Sequence, residues 1–353
     1  MKRIRDSARW RRTQSRKSRR ADLCRRRRRR VKFGYVGLPG LVGQRMRAPT
    51  DFRLVDNPVT VIKYFNRTFD VAKKQHIVHD IESVSRIDLS ACIVLTHALI
   101  AGEGRASTSL PLNPEVATSI AASGMLAHLR WLTSDGAAPR QFSGGASSGV
   151  CFHGGRLKPT SAKEVSTAVA EALVLACLHF CPSMNKIKTR YVYRTLVELM
   201  SNTHAHASQV LGECSWWLAA SPIHRGMAFA FFDGGQGIPR TLRSRWAARA
   251  VRAGGVLESL GMVENLDVAL MRDAFTRATR SRVEVSRTGR PHRGHGLPAM
   301  KQAVENGLLD RFFVISGRVW VSLAEGVYQE LPEGVGLDGT LMYFEVREGS
   351  NDE

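Results

Sequence analysis

The sequence predicts an α+β protein, in which a C-terminal α/β sandwich with helices on one face of a mixed sheet follows a small α/β domain. Three observations carry that expectation. Helical and strand-like patterns alternate over residues 55–135, and a Ser/Gly/Pro-rich stretch over 136–161 follows, a linker or an irregular strand region between domains. Beyond residue 162, two long helical patterns precede a series of aromatic-rich, strand-like runs. With 43% hydrophobic residues in a chain of 353, two domains can each bury a core.

Residues 1–54 are expected to be a disordered basic tail and connector. Residues 1–32 hold 17 Lys or Arg against Asp6 and Asp22, so +15 of the net +21 charge sits there and the body is only mildly basic. A run such as "RRRRRR" (Arg25–Arg30) repels itself and stays solvated. The segment has no apolar block or small-residue cleavage site of a secretory signal. It suits electrostatic attachment to nucleic acid, another polyanion or an anionic membrane surface, although charge alone reads no sequence. The Gly/Pro-rich "FGYVGLPGLVGQRMRAP" then reads as irregular chain.

In the small domain, "NPVTVIKYFNRTFDVAKKQ" opens on Asn57 and Pro58 and places Val61, Tyr64, Phe65 and Phe69 at helical spacing. "HIVHDIESVSRIDLS" carries β-branched residues at intervals and reads as a strand with its exit turn. "ACIVLTHALIAGEGR" reads as a buried helix and "TSLPLN" as a short strand. "PEVATSIAASGMLAHLRWL" is a further helix, started by Pro114.

In the second half, "SAKEVSTAVAEALVLACLHF" and "NKIKTRYVYRTLVELMSNTHAHASQVL" read as helices. "CSWWLAAS" and "GMAFAFFD" read as strands joined by a turn. A helical, charged insertion runs to about residue 290, and "LPAMKQAVENG" is a short helix ending at Gly307. "RFFVISG", "RVWVSLA" and "GTLMYFEVRE" complete the chain as antiparallel strands. The longest apolar stretches, such as "ALVLACLHF", fall far short of the roughly 20 residues of a membrane span, so a cytoplasmic protein without a transmembrane segment is expected. The six cysteines form no framework and are expected to be reduced. Cys177 and Cys181 in "CLHFC" read as core thiols, not zinc ligands.

Three stretches carry candidate chemistry. On the long helix, Glu198, Asn202 and His206 recur at i, i+4 and i+8 and line one face, a pattern that by itself is commonly a solvated stripe. "FAFFDGGQGIPR" ends an apolar run on Asp233, then supplies Gly235, Gly237 and Ile238. A strand-end carboxylate can bind a ligand while the glycines let a flat ring approach the backbone, although Asp-Gly is also an ordinary turn. "RGHGL" places Gly294, His295, Gly296 and Leu297 at a helix start, where free N–H groups and the helix dipole suit phosphate. It closes the insertion 241–293, a candidate flap over such phosphates.

In this order and spacing, "ELMSNTHAH", "DGGQGIP", "RGHGL" and "GTLMYFEV" resemble the Bergerat-fold ATP-binding domain of the GHKL superfamily: gyrase-type topoisomerases, heat-shock chaperones and histidine kinases. The resemblance covers residues 162–348. It implies ATP and Mg2+ as cofactors, with Asn202 as metal ligand and Asp233 accepting the adenine amino hydrogen. It further implies that Gly235, Gly237 and Ile238 shape the adenine pocket. Gly294, His295, Gly296 and Leu297 would form the phosphate loop and lid, with Thr340 supporting the adenine side and His206 the phosphate end. Glu198 takes the place of the general base.

The implied function is that of a Mg-dependent ATPase acting as a nucleotide-controlled regulator with a protein partner. Two alternatives stay open: an anti-sigma-type serine/threonine kinase or partner-switching regulator, and a nucleotide-gated nucleic-acid binder using residues 1–32. "RIDLSACIVLTHALIAGEGR" with "SIAASGMLAHL" is similar to STAS-type domains, the antagonists of anti-sigma kinases. Where those carry a phosphorylated serine this chain reads Leu95, Thr96, His97 and Ala98, leaving Thr96 as a substitute acceptor. "VHDIESVS", around His79, is only faintly similar to the phosphoacceptor box of a histidine kinase.

Overall fold

The computed structural model describes residues 43–101, 106–109, 111–123, 150–154, 162–206, 216–243, 266–276 and 296–348. The basic tail lies outside them, as do most of the 241–293 insertion and most of 136–161.

The N-terminal unit runs β1 (Gln44–Arg47), β2 (Asp51–Phe52), α1 (Pro58–Ala72), β3 (Ile77–Asp80), β4 (Arg86–Ile87), α2 (Leu89–Ala101), β5 (Ala106–Thr108) and α3 (Pro114–Ala122). Strands β1, β3 and β5 form a parallel sheet with β3 in the middle, and β2 pairs with β4. Residues 43–54 are therefore not all connector: Gln44–Arg47 aligns beside β3 and contributes an edge strand. Proline at the first helical position starts α1 and α3. The start of α2 is capped by Asp88, which accepts from Ala91 N at 2.6 Å and from Val55 N at 2.8 Å.

The second unit runs β6 (Val150–Gly154), α4 (Ala162–Phe180), α5 (Lys186–His206), β7 (Trp216–Ile223), β8 (Gly226–Asp233), α6 (Leu266–Thr276), α7 (Gly296–Glu305), β9 (Asp310–Gly317), β10 (Val319–Ser322), β11 (Val327–Glu330) and β12 (Leu337–Arg347). Among the described residues its sheet has seven strands, in the order β11-β10-β9-β12-β8-β7-β6. Part of the expected linker thus forms the edge strand β6. Among the described residues every pairing in this sheet is antiparallel, so it is not the mixed sheet expected. The helical crossover between β8 and β9 would make those two strands parallel neighbours, but β12 inserts between them and runs antiparallel to both.

Strand periodicity divides the sheet into two apolar faces. Met227, Phe229 and Phe231 of β8, with Met342, Phe344 and Val346 of β12, meet Leu196, Leu199 and Met200 of α5 and Met300 of α7. Ala228, Ala230 and Phe232, with Leu341 and Tyr343, face the other way into one core with Phe52, Phe65, Val94 and Leu95 of the N-terminal unit. The unit's own helices α4–α7 all pack on the first of these faces, and the other is covered by α2 of the N-terminal unit, which packs on β7, β8 and β12. That position explains why α2 is apolar nearly all round, as a helix enclosed on both sides must be. Polar links join the units at the margin. Asn66 Nδ2 donates to Gly336 O at 3.0 Å, and Arg311 reaches both Asp56 (3.4 Å) and buried Glu345 (3.5 Å).

Cys177 and Cys181 are buried in the core beneath α4, and burial pushes both thiols up. Among the described residues no helix is long and apolar enough to cross a membrane.

Candidate functional site

Asp233 is the last residue of β8 and follows Met227, Phe229 and Phe231 in alternation, so its side chain belongs to the helix-bearing face. Thr340 lies directly across from it on β12, and Ser316 lies across from Thr340 on β9. The three polar side chains thus form a row over the edge of an aromatic core. Asp233 Oδ1 accepts from Gly235 N at 2.9 Å, and the Thr340 hydroxyl also bonds the carboxylate. Burial outweighs both donors and pushes the Asp233 carboxyl up to about 6.

Ser316 is the residue that the sequence concealed. Its hydroxyl, fully buried, accepts from Ile238 N at 2.8 Å and stands 3.2 Å from Gly339 O and 3.1 Å from Thr340 Oγ1. A hydroxyl has one hydrogen. If Ser316 donates to Thr340 Oγ1, Thr340 keeps its own hydrogen for Asp233, and one chain of bonds runs from the Ile238 amide to the carboxylate. Nothing in "RFFVISG" marks a small polar residue at a strand end as a hub. Only the cross-strand register reveals it.

The glycines fit tightly. Gly237 has φ +78°, and a Cβ there would lie 2.9 Å from Ser316 Oγ and 3.0 Å from Gly339 O. Gly339 sits in a β12 register shift with φ +112°, its missing Cβ only 1.9 Å from Asp233 O. The turn from Gly234 to Ile238 is thereby held against β12 and continues into a short helix over 238–243, where Thr241 Oγ1 donates to Gly237 O at 2.8 Å.

A second cluster forms where α5 meets α7. Glu198 and Asn202 are half-buried beside Leu199 and Thr203. They converge on Gly296, the first residue of α7: a Cβ there would lie 2.8 Å from Glu198 Oε2 and 3.4 Å from Asn202 Nδ2. A carboxylate and a side-chain amide therefore flank a helix N-terminus, whose free N–H groups and dipole attract anions. Ile238 from the first cluster and Leu297 from the second pack on the same core. Both clusters lie on one face of the sheet.

His206 ends α5, but its side chain lies outside the described residues, as do Gly294 and His295. Neither alternative phosphoacceptor is accessible. Thr96 is buried and donates to Cys92 O at 2.8 Å, and His79 is buried on β3 against the Tyr64 hydroxyl at 2.8 Å. The chain matches no known protein-family model and no curated protein.

Proposed function

We propose that the protein binds ATP with Mg2+ on the helix-bearing face of the sheet and acts as a nucleotide-controlled regulator, with hydrolysis by a base at Glu198. The observation that carries this reading is the convergence of Glu198, Asn202 and the α7 N-terminus on Gly296, on the same face as the Asp233–Thr340 pair. An acceptor carboxylate with close-packed glycines suits the amino edge of adenine, and a helix N-terminus suits phosphate. The likeness to a Bergerat-type ATPase preceded by a STAS-like unit belongs to the same proposal.

Asn202 offers one amide oxygen and Glu198 a carboxylate, which fits an ion that retains several waters and is held mainly by the nucleotide's phosphates. Magnesium, when bound, supplies charge neutralisation at the phosphates. The chain's own work is to seat the base at Asp233, present N–H groups from α7 and orient a water at Glu198 for proton removal.

Radiolabelled ATP tests the reaction. Free phosphate formed by the wild type and lost in Glu198→Ala, with nucleotide binding kept, supports hydrolysis. Label appearing on a protein partner moves the assignment to the kinase alternative.

A further inference from the structure

Among the side chains by which the N-terminal unit packs on the back of the sheet, His97 lies nearest the turn that follows Asp233. His97 of α2 stands edge-on to Phe232, with ring centroids 5.0 Å apart and planes at 66°, and Phe69 of α1 lies 6.4 Å from it. The imidazole continues to Gly234, where a Cβ would lie 3.2 Å from His97 Cε1 and 3.6 Å from Nε2. Among the described residues no other group comes within 4 Å of that Cβ, and Gly234 is not in the left-handed region. The absence of a side chain at 234 therefore answers to His97 alone.

Gly234 joins Asp233 to Gly235, whose N–H holds the Asp233 carboxylate. On the far side of this turn, Asp233 O rests against Gly339. The turn is thus clamped between the bulge of β12 and an imidazole supplied by the N-terminal unit. Asn66 to Gly336 and Arg311 to Asp56 are further polar bonds between the units.

We propose that the N-terminal unit regulates the nucleotide site through His97, a positioning residue that fixes the Gly234 turn and hence the aim of Asp233. The inference rests on the ATP reading. A partner that draws α2 off the sheet releases the turn and weakens ATP binding. By linkage, ATP tightens α2 on the sheet. Displacements well below 1 Å at such a turn are enough to matter, because base recognition depends on aligned hydrogen bonds.

The test is a mutant cycle on the full chain, reading affinity for a fluorescent ATP analogue with Mg2+, with thermal melting in the absence of nucleotide as the check on folding. His97→Ala is expected to weaken binding about 10-fold, and Gly234→Ala, whose methyl meets the imidazole, by about as much. Their combination binds better than Gly234→Ala alone, because removing the ring makes room for the methyl. His97→Phe keeps an aromatic plate in the core and binds within about threefold of wild type, a rescue that general loosening of the fold would not give. Additive losses, or unchanged affinity in His97→Ala, overturn the inference and leave the ATP reading standing. A folded wild type without nucleotide affinity overturns both.

Discussion

Gly296 and Glu198 are matched by shape: the first residue of α7 has no side chain, and the carboxylate of α5 occupies the space one would fill, 2.8 Å from the position of a Cβ. Because Glu198 Oε2 is the end of a flexible side chain, Gly296→Ala is expected to displace the carboxylate and leave the fold intact. Stability should change by less than about 1 kcal/mol, the scale of the Gly-to-Ala difference within a helix. Phosphate release from ATP should fall at least about 10-fold, as expected when an oriented base is moved. Melting and turnover measured on one preparation check both halves.

Asp233 links pH to stability and to binding in opposite senses. Its carboxyl is raised from 3.8 to about 6, so the fold prefers the protonated form. This contribution is present below pH 4 and lost as pH rises through 6, a cost at pH 8 of about 3 kcal/mol. Asp233→Asn should therefore match or exceed the wild type in thermal stability at pH 8. Its ATP affinity should nevertheless fall, since an amide cannot offer the same acceptor. Wild-type affinity should decline as pH falls through about 6, with a steeper dependence than the variant shows. Titrations of both proteins from pH 5 to 8 measure the difference.

Two buried serines on neighbouring strands provide a contrast. Ser316 Oγ accepts from Ile238 N and donates its one hydrogen to Gly339 O or Thr340 Oγ1, whereas Ser322 Oγ is buried without a hydrogen-bond partner among the described residues. Ser316→Ala is expected to cost about 1–3 kcal/mol, because the Ile238 amide loses its acceptor. Ser322→Ala should be neutral or slightly stabilising, since it removes a polar atom that nothing satisfies. Denaturant unfolding of the pair gives the comparison, and only Ser316→Ala should also weaken ATP binding.

The N-terminal unit carries its own acid limit. Tyr64 can donate to Met46 O at 3.3 Å while receiving His79 Nδ1–H at 2.8 Å, an arrangement that leaves Nε2 without a partner among the described residues. Burial lowers the His79 pKa to about 4 against 6.5 for a free imidazole. Stability is therefore full above pH 6.5 and lost as pH falls through 4, by up to about 3 kcal/mol. Replacing His79 by Leu should flatten stability between pH 6.5 and 4, whatever it does to the absolute value. Urea midpoints at several pH values read this directly.

Much of the arrangement is legible in the sequence where local rules suffice. "GMAFAFFD" alternates small and aromatic residues because its two sides meet different partners, Ala228 and Ala230 under the N-terminal unit, Phe229 and Phe231 under the helices. Pro58 and Pro114 mark their helix starts. What lies on top of α2 is not legible. An all-round apolar helix announces burial, but only long-range packing shows that the seven-stranded sheet covers it. The same holds for β1 and β6, short edge strands whose pairing overrides a Gly-rich context. In the candidate site, Asp233 and Asn202 stand out as residue types. Ser316 and His97 do not, because their importance lies in what the register and the packing set beside them.

The most direct measurement is calorimetric titration of the full chain with ATP and with GTP, each with Mg2+, in wild type, Asp233→Asn and Asn202→Ala. ATP should bind the wild type and GTP at least about 10-fold more weakly, since guanine offers a carbonyl where adenine offers an amino group to the Asp233 acceptor. Both variants should lose most of the ATP affinity. Undiminished ATP binding by folded Asp233→Asn and Asn202→Ala proteins would contradict the assignment of this face as the nucleotide site.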